Sequence, residues 1–403
     1  MISVREAYEF YAREIKPLES VEIPVNESRN RYLAKDAKSR IDLPPFNQSA
    51  MDGYALVAAD TKGASESNPI KLILAGEIPA SRLEAVPELN SGQAVRIFTG
   101  GYVPRGADVV LPQEDALIED GHLVMTRQLE AGRHVRDQGE EVRAGDLICS
   151  AGRVITTGVQ SALSIAGIDR ISVTREPKIS LLTTGDEIVT AGRDLRPGEV
   201  YDANSVLVSS WLNTHGYSQV EHVAVSDTLE ETVSAIRRGF ETSDLVLTCG
   251  GISVGDKDFV LKAARELGVR EIFWRVRQRP GKPLFFGMKN DKVLMGIPGN
   301  PGSVFVCLNV HVLQALDRLA GSAIPRPHRQ TGKLAEAMEL GGNREFWMRS
   351  TTQISDQGEV WIDPLPRQSS HMITNLTDCT ALACIPEGDG VIEAGDVVEW
   401  ISV

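Results

Sequence analysis

Residues 178–189, KISLLTTGDEIV, open the stretch that decides the fold. An apolar run there ends in Thr183, Thr184, Gly185, Asp186 and Glu187, and ANSVLVSSWLNTHG (203–216) follows with a helical pattern. The unit recurs as VEHVAV (220–225) with TLEETVSAIRRGF (228–240), and as DLVLTCG (244–250) with DFVLKAARELG (258–268). EIFWRVR, PLFFGM and KVLMGIPG come next, then a long helix, SVFVCLNVHVLQALDRLAG (303–321). Near-continuous apolar strands between amphipathic helices predict a parallel sheet covered on both faces, a doubly wound α/β domain. In such sheets ligands bind beyond the carboxyl ends of the strands.

Outward from this core the texture changes. Before it, residues 21–150 read as short strands (VEIPV, IKLILAG, QAVRIFTG, DVVLPQED) punctuated by Gly and Pro. Ser3 and Glu6 stand at capping-box spacing ahead of a first helix that Pro17 ends. A second helix is expected behind Thr156 or Thr157. After the core, AIPRPHRQ (323–330) reads as a Pro-rich hinge into a small all-β domain.

The 403 residues carry a net charge of −13. A general polyanion binder should be basic, so nucleic acid and acidic membranes are poor partners, and any anionic ligand needs local donors. No apolar run reaches the ~20 residues of a membrane span, and the N-terminus does not read as a signal peptide. Five scattered cysteines without a CxxC pair suit neither a zinc site nor a disulfide framework, so the chain reads as reduced and cytoplasmic.

The chemistry-bearing motifs fall at strand ends. In GIPGNPGSVFV (296–306), Pro298, Gly299, Asn300 and Pro301 turn into a helix beginning near Ser303; this is an anion site at a helix N-terminus or a tight turn. TCGGISVGDKDF (248–259) exposes backbone at Gly250, Gly251 and Gly255. Its Asp256 and Asp258 suit a hydrated Mg²⁺ against phosphates, or a helix cap. With Glu187 and Asp227, three successive strand ends carry acid, a pattern fitting a divalent-cation or general-base site. In WRVRQRPGK (274–282), Arg275, Arg277 and Arg279 alternate as on one strand face, and Lys282 follows. Asp52 in PPFNQSAMDGYAL (44–56) and Thr99 in IFTGGYVPRGADVV (97–110) lie on loops that could equally be turns.

These stretches, with LLTTGDEIV, PGEVYDANS and PGKPLFFG, occur in an order that closely resembles the molybdopterin molybdenumtransferase family, bacterial MoeA and the gephyrin E domain, over essentially the whole chain. The resemblance implies four domains: I, 1–45 with 140–177; II, an inserted β-rich segment 46–139; III, the α/β molybdopterin-binding domain 178–325; and IV, a barrel-like β domain 326–403. It implies insertion of molybdate into adenylylated molybdopterin with release of AMP, assisted by Mg²⁺. It also implies a homodimer whose cleft is shared between subunits. Molybdopterin adenylyltransferase and molybdoenzyme apoproteins are the partners that would follow.

Carried over position by position, the family's functional residues are Asp52, Thr99, Glu187, Asp227, Asp258 and Lys282, with Glu187, Asp227 and Asp258 toward the metal. Gly250, Gly251, Ser253, Arg279, Pro298, Gly299, Asn300, Pro301 and Ser303 would bind the substrates, joined by Arg344, Arg349 and Ser370 from the last domain. Four positions depart from the family pattern: Glu141 replaces an Asp, Arg279 a Lys and Trp347 a Phe, and TDCTAL lacks the family's small-Asn pair. Tungstate insertion, or a scaffold role on the same fold, are the alternative readings.

Overall fold

The computed structural model describes residues 1–253, 255 and 258–403, so Asp256 lies outside the described residues. The first helix, Val4–Glu14, forms where expected: Ser3 Oγ accepts from the Glu6 N–H, and the Glu6 carboxylate accepts from the Ser3 N–H. Its Val4, Ala7 and Tyr11 are fully buried in the core of the α/β unit, against Phe273 and Phe286.

Residues 23–43 and 142–173 share a separate core. It is built on the antiparallel pair Ser20–Pro24 and Arg170–Thr174 and on helix Thr157–Ile165, capped by Thr156. The chain between them forms its own six-stranded sheet. In that sheet Gly53–Leu56 lies between Gln93–Ile97 and Val109–Pro112.

The α/β unit carries a six-stranded sheet in the order Val220–Val225, Ile179–Thr184, Leu245–Cys249, Lys292–Ile297, Phe285–Lys289, Arg270–Trp274. The first four strands are parallel, as the alternation with helices predicts. The last pairings are antiparallel, so the sheet is mixed. Asn290-Asp291 is too short a link for a crossover, and Asn290 takes a φ of 55° to close a hairpin.

The expected single helix after residue 301 has three parts: Pro301–Cys307, a π-helical turn Leu308–Val312, and Leu313–Leu319. The expected arginine stripe does not form. The strand ends at Trp274, Arg275 turns with a φ of 77°, and Arg277 bonds Glu387.

Domain IV is a closed five-stranded barrel of Glu345–Ile354, Val360–Pro364, Gln330–Leu334, Val397–Ser402 and Ala381–Ile385. Gln278–Arg279, from the α/β unit, pairs in parallel with Glu345 and Phe346 at the start of one barrel strand. Among the described residues no helix is long and apolar enough to cross a membrane.

Candidate active site

Four parallel strands end at Thr184, Val225, Cys249 and Ile297, and the loops that leave them line one cavity of 960 Å³. Glu187, Asp227 and Asp258 reach it from three of these loops; Gly250, Gly251, Ser253, Pro298, Gly299, Asn300 and Pro301 form much of the rest. Sequence order therefore placed these residues correctly at one edge.

The backbone at Gly250 is fixed by sterics. Its φ is 98°, and a Cβ would meet Thr184 Oγ1 at 2.7 Å. Asp258 does not cap the helix that follows. That helix starts at Val260 behind Phe259, and Asp258 Oδ2 instead accepts the Gly255 N–H at 2.6 Å. Among the described residues no three His, Cys, Asp or Glu side chains converge closely enough to enclose a metal ion. The acids line a shared wall without forming a cage. Such hard oxygen donors suit Mg²⁺, which keeps several waters and is held by one or two carboxylates together with substrate phosphates.

A second cavity, of 610 Å³, adjoins the first along Pro283, Pro298, Asn300 and His371. Its character is opposite. Arg279, Lys282, Arg344, Ser303 and Ser370 line it, with Phe346 beneath Arg279, whose guanidinium lies 3.8 Å from the ring centroid. Burial, and then the like charge of Arg344, disfavour the protonated form of Arg279, so an anion here relieves a strained pair.

The loop Gln278–Lys282 is held from below. Tyr11 OH lies 3.2 Å from His311 Nδ1, His311 Nε2 lies 2.7 Å from Gln278 Oε1, and Gln278 Nε2 donates to Gly281 O at 3.3 Å. The amide direction makes His311 Nε2 the donor and Nδ1 the acceptor. Tyr11, Gln278 and His311 are fully buried, and a Cβ on Gly281 would strike Cys307 Sγ and Gln278 Nε2 at 2.6 Å each. His311 sits in the π turn, and burial lowers its pKa to about 3, so the ring is neutral.

Two expectations are corrected here. Arg349 was expected to contact anions, yet it is 1% exposed and lines neither cavity. Its guanidinium donates to the carbonyls of Arg367, Ser369 and Met372 and so brackets the loop that presents Ser370 and His371. The helix N-terminus at Pro301 is also not an open cradle. The N–H groups of Gly302, Ser303 and Val304 bond Ser370 O and Asn300 O. The turn instead contributes side chains: Asn300 Nδ2 donates to Ser370 Oγ at 3.0 Å, and Ser303 faces the basic cavity.

Asp52 and Thr99 line neither cavity. Within one chain they form their own pair, at the ends of adjacent strands in the inserted sheet.

Sequence reasoning assigned no role to Asp202, Asn204 or His371, all on the acidic cavity. Asn204 had a visible signal in YDANS; it opens helix Asn204–Thr214, and its Nδ2 donates to Gly299 O at 2.6 Å. His371 had none.

Comparison with known proteins agrees over the full length. Residues 2–167 match the MoeA N-terminal region (domains I and II), 180–318 a probable molybdopterin binding domain, and 331–403 the MoeA C-terminal region (domain IV). The molybdopterin molybdenumtransferase of Haemophilus influenzae is 30% identical over 95% of this chain and 93% of its own. That of Staphylococcus epidermidis is 27% identical over 99% and 95%. The solved structure of a molybdopterin biosynthesis MoeA protein from Pyrococcus horikoshii superposes with a TM-score of 0.84 at 26% identity, covering 100% of this chain and 99% of that one. With these matches along its whole length, the chain belongs to the MoeA family of molybdopterin molybdenumtransferases, enzymes of molybdenum cofactor biosynthesis.

Proposed function

We propose that this chain inserts molybdate into adenylylated molybdopterin and releases AMP, with each substrate's charge matched to one cavity. The observation that carries this reading is the pairing of an acidic and a basic cavity across one shared wall. The basic cavity suits a tetrahedral dianion, which Arg279, Lys282 and Arg344 can neutralise while Ser303 and Ser370 donate hydroxyls. The acidic cavity suits the phosphoanhydride. Gly250 and Gly251 line it with main chain alone, and Glu187, Asp227 and Asp258 can hold Mg²⁺ against the phosphates. When bound, Mg²⁺ would neutralise charge that develops as the anhydride breaks. This chain's residues supply positioning: carboxylates at three strand ends, and cations held by the buried Tyr11–His311–Gln278 chain.

The working unit in this reading is a homodimer, in which the Asp52–Thr99 pair of one subunit completes the cleft of the other. The exclusion of that pair from both cavities of its own chain supports this reading. The test is reconstitution with adenylylated molybdopterin, molybdate and Mg²⁺, following AMP and cofactor. Absence of AMP under these conditions overturns the reaction as written.

A further inference from the structure

The two cavities share four residues, and among them His371 alone has a polar side chain that makes no hydrogen bond to the described residues. Pro283 and Pro298 have no polar side-chain atom, and the Asn300 amide donates to Ser370 Oγ. His371 is exposed and lines both cavities, and its ring makes no hydrogen bond to the described residues. The loop beneath it is nonetheless firmly held. The Arg349 guanidinium bonds three of its carbonyls, Gln368 Nε2 bonds Arg349 O at 2.7 Å and Leu365 O at 2.6 Å, and the Gly302 N–H bonds Ser370 O at 2.8 Å. A buried arginine is thus committed to a surface loop whose outward groups are a serine and a histidine.

We infer that His371 is a substrate-contacting residue that bonds the phosphate-bearing substrate in the acidic cavity and the oxyanion in the basic one, and so couples their binding. The inference rests on the assignment of the two cavities made above. The two ring nitrogens of an imidazole lie on different edges, so one ring can face a ligand in each cavity. Unliganded, the exposed ring is held by no hydrogen bond to the described residues. The first ligand fixes it, and the second then meets a ring already aimed, so each ligand strengthens the other reciprocally.

The test uses the full-length protein with AMP and molybdate as probes. Molybdate affinity is measured by equilibrium dialysis with and without saturating AMP. The parent should bind molybdate about fivefold or more tightly when AMP is present, and His371→Ala should bring that ratio to about one. Ser370→Ala should weaken molybdate binding alone while keeping the ratio, because it removes a donor from one side only. A ratio that survives in His371→Ala overturns the inference, as does a parent that binds both ligands without coupling. A parent that binds neither AMP nor molybdate overturns the cavity assignment itself.

Discussion

One carboxylate oxygen of Asp52 accepts both the main-chain N–H of Thr99, at 2.8 Å, and its hydroxyl, at 2.7 Å. The pairing follows from register: Gly53 faces Ile97 across two antiparallel strands, so the residues just outside the ladder meet. These bonds, the main-chain one first, hold the Asp52 carboxyl below the usual Asp range. The oxygen left over is an anionic acceptor on a residue that lines neither cavity of its own chain.

That placement makes subunit complementation the sharpest test of a shared cleft. Asp52→Ala and Asp258→Ala proteins should each be nearly inactive. Random exchange makes about half of the dimers mixed, each with one cleft carrying both lesions and one carrying neither, so about a quarter of parental activity should return. No recovery after proven exchange would put the whole site in one chain.

Asp258→Asn keeps the size of the side chain and an acceptor for the Gly255 N–H but removes the charge. Mg²⁺-dependent AMP release should fall at least tenfold, with the melting temperature within a few degrees of the parent. Unchanged release at saturating substrate would leave Asp258 a loop-fixing residue only.

Lys282→Ala should weaken molybdate binding about tenfold, and by less at high ionic strength, where screening already reduces the attraction. In a chain of net charge −13 no diffuse positive field compensates for the loss. Equal affinities for mutant and parent across a salt series would remove Lys282 from the oxyanion site.

His311 gives a pH signature. Its ring is neutral in the folded protein down to about pH 3, against an ordinary value of 6.5 in the unfolded chain. The unfolded state therefore takes up a proton first. Stability from this group is complete above about 6.5 and is lost as pH falls toward 3, at about 1.4 kcal/mol per pH unit. His311→Gln, which has no titrating ring, should show a shallower fall in unfolding free energy from pH 6 to pH 5 by roughly that amount. Identical slopes in urea unfolding would mean that the folded ring takes up its proton as readily as the unfolded one.

Arg349→Met should be destabilising by about 2–4 kcal/mol, because three carbonyls lose a buried donor. It should also raise the KM for molybdate by loosening the loop that carries Ser370. A stable variant with parental KM would show that the loop needs no bracket.

Local signals survived best between sequence and structure. The Ser3–Glu6 box, the Thr156 cap and the strand–helix alternation are written in adjacent residues, and all three formed. Acids at strand ends were legible because strand order decides which edge they share. Arginine roles were not. A guanidinium has the same donors for a carbonyl as for an oxyanion, so only burial separates Arg349 from Arg344. The alternation of Arg275, Arg277 and Arg279 failed at one backbone angle, the positive φ of Arg275, which no residue type there announces. His371 acquires its position from Arg349, about twenty residues earlier in the chain, and so leaves no local trace.

The ladder between Gln278–Arg279 and Glu345–Phe346 has a final consequence. It joins the two walls of the basic cavity by main-chain bonds, so their separation is set by the spacing of paired strands, about 4.8 Å, and not by how side chains pack inside the barrel. The cavity is in effect gauged by the backbone. Barrel-interior positions such as Met348 can then change bulk while the gap between the two walls keeps its calibre. The width of the basic cavity and the stability of the barrel thereby become separately adjustable properties of one polypeptide.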